Sequence, residues 1–289
     1  LFYYAGEAGN SLNDQKMRRK SLTHKNSSIY YEMEGSGPPA MLVHGFGEDG
    51  TIWQYQRRFL KDRFLLIVPN LPGTGQSDLL SISADQTTSV IERYADCLKQ
   101  ILDRENIRQC TLIGHSMGGY VALAFAQHYP ERLTALGLVH STAFADSEDK
   151  KTTRRKGIAF IQRYGAQEFL KQSIPNLFGE AFTRKHPEQI ETLMKGAGNF
   201  SAATLVQYYA AMIERPDRTE TLKKLTVPVL FIIGEEDKSV SLADSLKQCY
   251  LPVKALINIL PDTAHMGMWE QKDQANNTVM EFLNYVCDA

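Results

Sequence analysis

The sequence is short of cysteine, of surplus charge and of long apolar runs, and each shortage excludes something. Four cysteines, Cys97, Cys110, Cys249 and Cys287, are scattered over 289 residues. None forms a Cys-x-x-Cys pair or a metal-ligand spacing, so reduced thiols are expected and neither a disulfide framework nor a zinc site is. Lys and Arg number 32 against 33 Asp and Glu. That balance removes the electrostatic argument for nucleic acid or a membrane surface as partner. No apolar run reaches transmembrane length, and no internal repeat is visible. The opening segment lacks the basic-then-apolar order of a secretory signal. The expectation is a cytoplasmic protein.

What is present is enough apolar residue, 43%, for one large domain or a domain with an insertion. Residues 21–26 and 27–39 read as two strands joined by a polar turn. Short apolar runs follow at AMLV, FLLIVP, CTLIG, LTALGLV, VPVLFIIG and VKALINIL. These are apolar on both parities, the pattern of strands buried on both faces of a mostly parallel sheet. Helical patterns alternate with them, so an α/β fold is expected. Residues 143–220 break the rhythm with several short amphipathic helices and no strand. The parse is an extension of uncertain structure at 1–20, a core of 21–142 and 221–289, and a helical cap or lid at 143–220. The basic group Lys150, Lys151, Arg154, Arg155 and Lys156 reads as a solvated helix start.

The stretch CTLIGHSMGGY places Ser116 between glycines, after a strand and before a helix. Gly114-His115-Ser116-Met117-Gly118 is a G-x-S-x-G pattern in the strand–turn–helix context that such a motif requires. The turn strains Ser116 and presents its hydroxyl beside helix N–H groups that favour a developing anion. A serine that merely caps the helix is the plainer alternative. A serine hydroxyl needs a base. His265 follows the last strand, at the sheet edge where α/β sites assemble. The base needs an orienting carboxylate, and Asp237 follows the preceding strand, with Glu235 and Glu236 as neighbours able to serve instead. A second anion donor is available in His44-Gly45-Phe46-Gly47, where the Phe46 N–H joins that of Met117. His44 reads as a structural residue holding its loop, and His115 and His140 receive no role.

Four motifs in order, HGFG, PNLPGTGQSD, GHSMGG and the late Asp–His pair, make the chain similar to the α/β-hydrolase fold superfamily, in its cap-bearing branch. The resemblance spans residues 21–289 and departs from the family pattern at Asn70, where an acidic residue is usual. It implies an eight-stranded, mostly parallel sheet flanked by helices. It implies acyl transfer from a carboxylic ester through Ser116, His265 and Asp237, with no metal or cofactor. A serine in the turn argues against haloalkane dehalogenase or epoxide hydrolase activity. The expected partner is a small-molecule acyl substrate, with monomer and homodimer both open. Pocket candidates are Phe160, Phe178, Tyr209, Met266 and Trp269, with Phe169, Leu170, Leu177 and Leu205 as further cap positions. Cap arginines such as Arg154, Arg155 or Arg163 are read as solvated. Two alternatives stand: a lyase or C–C bond hydrolase, which requires polar or cationic cap residues at the pocket, and a weakly catalytic ligand receptor.

Overall fold

The computed structural model describes residues 17–81 and 89–288. Its strands are β1 (Arg18–His24), β2 (Ser27–Glu34), β3 (Pro39–Val43), β4 (Leu65–Pro69), β5 (Cys110–His115), β6 (Leu133–Val139), β7 (Val229–Gly234) and β8 (Ala255–Leu260). All eight form one sheet in the order β1-β2-β4-β3-β5-β6-β7-β8. β2 pairs antiparallel with both its neighbours and the other pairings are parallel. Lys25 and Asn26 close the β1–β2 hairpin at φ 45° and 69°, the left-handed conformation that two-residue hairpin turns need. β1 starts at Arg18, three residues ahead of the expected core boundary. Residues 1–16 of the expected extension lie outside the described residues.

Burial follows position in the sheet. β5 and β7 are buried at every residue. β8 was expected to be buried on both faces, yet it is an edge strand, and it exposes Ile257 and Ile259. Helices α1 (Gln54–Leu60), α2 (Val90–Arg104) and α3 (Met117–His128) lie within the first half of the chain. α2 starts at a capping box, with Ser89 accepting from the Glu92 amide and Glu92 accepting from the Ser89 amide. One face of the sheet packs on α2 and α3 through Tyr94, Leu98, Val121 and Phe125. The other packs on Trp53, on Leu60 of α1 and on Phe282 near the chain's end.

Between β6 and β7 the chain forms α4 (Glu148–Tyr164), α5 (Ala166–Ser173), α6 (Glu180–Lys185), α7 (Pro187–Gly196), α8 (Ala202–Glu214) and α9 (Thr219–Lys224), with no strand. Ser147 and Ser201 cap α4 and α8 by accepting from the amides of Lys150 and Thr204. α4 crosses α8 closely at Gly157, where a Cβ would stand 2.6 Å from the Tyr209 ring. The last elements are α10 (Leu242–Cys249), α11 (Gly267–Glu270) and α12 (Lys272–Asp288). Among the described residues no helix is long and apolar enough to cross a membrane. The four cysteines are unpaired, three of them buried.

Candidate active site

The sheet order sets the site. β5, β6, β7 and β8 are successive parallel neighbours, so the loops after them open at one edge. Ser116 follows β5 at φ 49°, ψ −116°, a region that costs a non-glycine residue on the order of 1–3 kcal/mol. The turn is held at both ends of the residue. The Ser116 amide donates to the Val139 carbonyl at 2.9 Å, and the Ser141 hydroxyl donates to the Ser116 carbonyl at 2.8 Å. Two glycines let strand and helix meet here. A Cβ at Gly114 would lie 2.3 Å from the Gly118 carbonyl oxygen, and one at Gly118 would lie 2.4 Å from that of Val43. The Ser116 side chain makes no capping bond to α3, so the plainer reading of this serine fails.

Its hydroxyl instead donates to His265 Nε2 at 2.9 Å. His265 Nδ1 in turn donates to Asp237 Oδ2 at 2.8 Å. The other carboxylate oxygen accepts from the amides of Ser239 and Val240 at 2.7 and 2.9 Å. Burial opposes charge on Asp237, but the His265 charge and the hydrogen bonds from the His140 and His265 rings outweigh it and hold the carboxyl well below the usual range. Burial likewise pulls the His265 imidazole down, and the charge and hydrogen bond of Asp237 more than offset it, so the net shift is upward. Glu235 and Glu236 are exposed, which leaves Asp237 as the carboxylate of the group. The His265 backbone is tied from outside the sheet, its amide donating to the Leu177 carbonyl at 2.9 Å. Glu270 braces the same loop by accepting from the amides of Ala264, Met266 and Gly179.

The loop after β3 lies against Ser116. A Cβ at Gly45 would come within 3.1 Å of the Ser116 Cβ. His44 holds its loop by hydrogen bonds, as expected: Nδ1 donates to the Gly45 carbonyl and Nε2 accepts from the Leu71 amide, while the nearby Thr74 hydroxyl donates to the Leu71 carbonyl. Asn70 accepts from the Gly50 amide at 2.9 Å, so the departure at this position serves the loop. The amides of Phe46 and Met117 enter none of the turn, loop or capping hydrogen bonds among the described residues. The Phe46 ring stacks on Tyr209 of α8, centroids 4.2 Å apart.

A cavity of about 370 Å³ opens over Ser116 and His265. Phe46, Phe178, Tyr209, Met266 and Trp269 line it, as do Leu170 and Leu177. Phe160 does not, contrary to expectation. It stands six residues beyond Arg154, about 120° round α4, and packs on Tyr164 and Phe169. Leu205 and Phe169 are also absent from the wall. Arg154 was read as solvated, yet it lines the cavity. Its Nε donates to Asp146 at 2.5 Å, and Arg215 pairs with the same carboxylate at 2.9 Å. The wall thus carries the Arg154 guanidinium on the side of α4 and the carboxylates of Glu48 and Asp49 on the side of the loop after β3. Arg155 and Arg163 are exposed.

Three buried groups escaped the sequence reading. His140 Nδ1 reaches Asp237 Oδ2 at 3.3 Å. His115 Nδ1 meets Glu48 at 2.9 Å and its Nε2 meets the His265 carbonyl at 3.0 Å. Glu48 also accepts from the Gly45 amide at 2.6 Å, and so links the loop after β3 to the residue before Ser116. Each follows or ends a strand at the same sheet edge, an arrangement that only the strand order brings together.

A family model described as the alpha/beta hydrolase fold matches residues 38–272. A 2-hydroxy-6-oxononadienedioate/2-hydroxy-6-oxononatrienedioate hydrolase of Burkholderia vietnamiensis is 27% identical over 265 residues, 88% of this chain and 90% of that one. The 3-oxoadipate enol-lactonase 2 of Acinetobacter baylyi is 25% identical over 263 residues, 90% of this chain and 95% of that one. Among solved structures, a thermophilic esterase from Thermogutta terrifontis superposes with a TM-score of 0.86 at 31% identity, covering 93% of this chain and 99% of that one.

Proposed function

The chain belongs to the alpha/beta hydrolase fold family and is a hydrolase, and from that premise we propose that it cleaves a small or medium carboxylic ester through a Ser116 acyl-enzyme. The observation that carries this reading is the unbroken chain from the Ser116 hydroxyl through His265 to Asp237. His265 takes the Ser116 proton as the oxygen attacks the ester carbonyl. Asp237 holds the imidazole in the required tautomer and stabilises the imidazolium. The oxyanion is held by the amides of Phe46 and Met117, the latter at the positive end of α3. The imidazolium protonates the departing alcohol. Water, deprotonated by His265, then releases the acid.

Residues 143–220 act in this reading as the cap that closes the site. Supporting it are Leu170, Leu177, Phe178 and Tyr209 in the cavity wall, and the Leu177 carbonyl that holds the His265 amide. The test is reaction with a small fluorophosphonate, followed by an aryl ester panel of increasing acyl length. A fluorophosphonate adduct on Ser116 together with turnover of the short esters is the expected result. A protein that neither labels nor turns over any ester contradicts the reading.

Arg154 favours a second reading, hydrolysis of a C–C bond in a carboxylate-bearing diketone. A cationic cap residue at the pocket is what that chemistry requires, and the Burkholderia relative acts by its name on such a dioate. Comparing kcat/KM for an aryl ester and for a 2-hydroxy-6-oxo dienoate separates the two.

A further inference from the structure

We propose that His140 is a positioning residue that sets the basicity of His265 by sharing its carboxylate partner. The inference rests on the serine-hydrolase reading above. Asp237 Oδ2 receives two imidazoles, His265 Nδ1 at 2.8 Å and His140 Nδ1 at 3.3 Å. The His140 tautomer is fixed by its far side, where Nε2 accepts from the Gly267 amide at 3.1 Å. An imidazole that accepts at Nε2 carries its proton on Nδ1, and that proton points at Oδ2.

The ring sits in a seat shaped for it. A Cβ at Gly267 would lie 2.4 Å from His140 Nε2, and one at Gly234 would lie 3.0 Å from Cε1. His140 itself has φ 48°, a strained conformation for a residue with a side chain. Its ring is fully buried. Burial pulls its pKa down to about 4, against the pull of Asp237. The ring therefore stays a neutral donor across the range in which His265 titrates.

The consequence is electrostatic. Each donor on Oδ2 draws off charge that would otherwise stabilise the His265 imidazolium. The positive end of the His140 N–H dipole also lies near that imidazolium, the two ring centroids being 5.8 Å apart. His265 faces Asp237, Glu48 and Glu270 as acids and His115 and His140 as neighbouring rings. His140 faces Asp237, His265 and His115. Within this set the acids raise the basicity of His265, and His140 restrains it. Removing the His140 donor therefore raises the pKa of His265 and moves the acid limb of activity to higher pH.

Two variants separate the halves of the ring. In His140→Asn the side-chain NH₂ stands near the Nδ1 position and keeps the donor to Asp237. In His140→Gln the carboxamide oxygen reaches toward the Gly267 amide and the donor to Asp237 is lost. His140→Phe loses both. Two midpoints are read against pH, that of His265 by NMR of ¹³C-labelled histidine and that of the fluorophosphonate labelling rate. His140→Gln and His140→Phe should raise both midpoints by about half to one pH unit, and slow labelling on the acid side about three- to tenfold. His140→Asn should stay with the wild type. Equal midpoints in all variants, or midpoints that follow Tm, would overturn the proposal and leave His140 a packing residue. A wild type that does not label at all overturns the serine-hydrolase reading instead, and the NMR midpoints still decide the role of His140.

Discussion

At the scale of single residues, the chemistry rests on groups whose charge states are set by their neighbours. Ser116→Ala removes the hydroxyl that donates to His265. On the proposed mechanism it lowers kcat by a factor on the order of 10³–10⁶, while circular dichroism and Tm stay close to wild type. The pH dependence has a definite sign. His265 must be neutral to accept a proton, and its pKa is raised above the ordinary value. Therefore kcat/KM should fall as pH drops through a midpoint above about 6.5, measured on an uncharged ester. Glu48→Gln tests the buried acid behind the loop. It removes the carboxylate that the Gly45 amide and the His115 ring share. The expected cost is about 1.5–3 kcal/mol of unfolding free energy in urea titrations, with a fall in kcat larger than any rise in KM. Ser116, Asp237 and His265 were legible in the sequence because each stands in a local context that chemistry demands. His140 and Glu48 were not. Their meaning depends on which strand ends become neighbours, and a linear sequence does not state the order β5-β6-β7-β8.

At the scale of elements, the strands and most helices were legible, since a run apolar on both parities has few other uses than a buried strand. The helices between β6 and β7 were legible from their short amphipathic patterns, while the caps Ser147 and Ser201 that start two of them came only with the structure. Which face of a helix meets the site was not. Arg154 sits among charged neighbours and reads locally as solvated, yet α4 turns it toward Tyr209 and the cavity. Phe160 is apolar and reads as a wall residue, yet the same rotation takes it away. The short helices α6, α9 and α11 carry too few turns to show a period. If the segment over the site is a selectivity element, Leu170→Ala and Phe178→Ala should shift the preferred acyl length in the ester panel. The rate of labelling by a small fluorophosphonate should change by less than about threefold, since the reacting groups lie on the sheet loops. Parallel loss of labelling and turnover would make these helices a folding element.

At the scale of the whole molecule, a sheet with one reversed strand gathers the loops after β3, β5, β6, β7 and β8 at one edge, and the helical segment is fastened there. Phe46 stacks on Tyr209, Leu177 holds the His265 amide, and Glu270 reaches the amide of Gly179. The cavity between the two layers is mostly apolar, with Arg154 at one wall and Glu48 and Asp49 at another. Arg154→Met should therefore raise KM for a substrate carrying a free carboxylate about tenfold or more, in line with the roughly 1.5–3 kcal/mol of a hydrogen bond to a charged group. KM for its methyl ester should change little. An equal change for both would place Arg154 in packing.

The central claim is that Ser116 is a nucleophile activated by His265 and oriented by Asp237. Intact-mass and peptide mapping after fluorophosphonate treatment tests it most directly. The account predicts a single adduct on Ser116, absent in Ser116→Ala and formed far more slowly in His265→Ala. An adduct on another residue, or labelling unchanged in either variant, would contradict it.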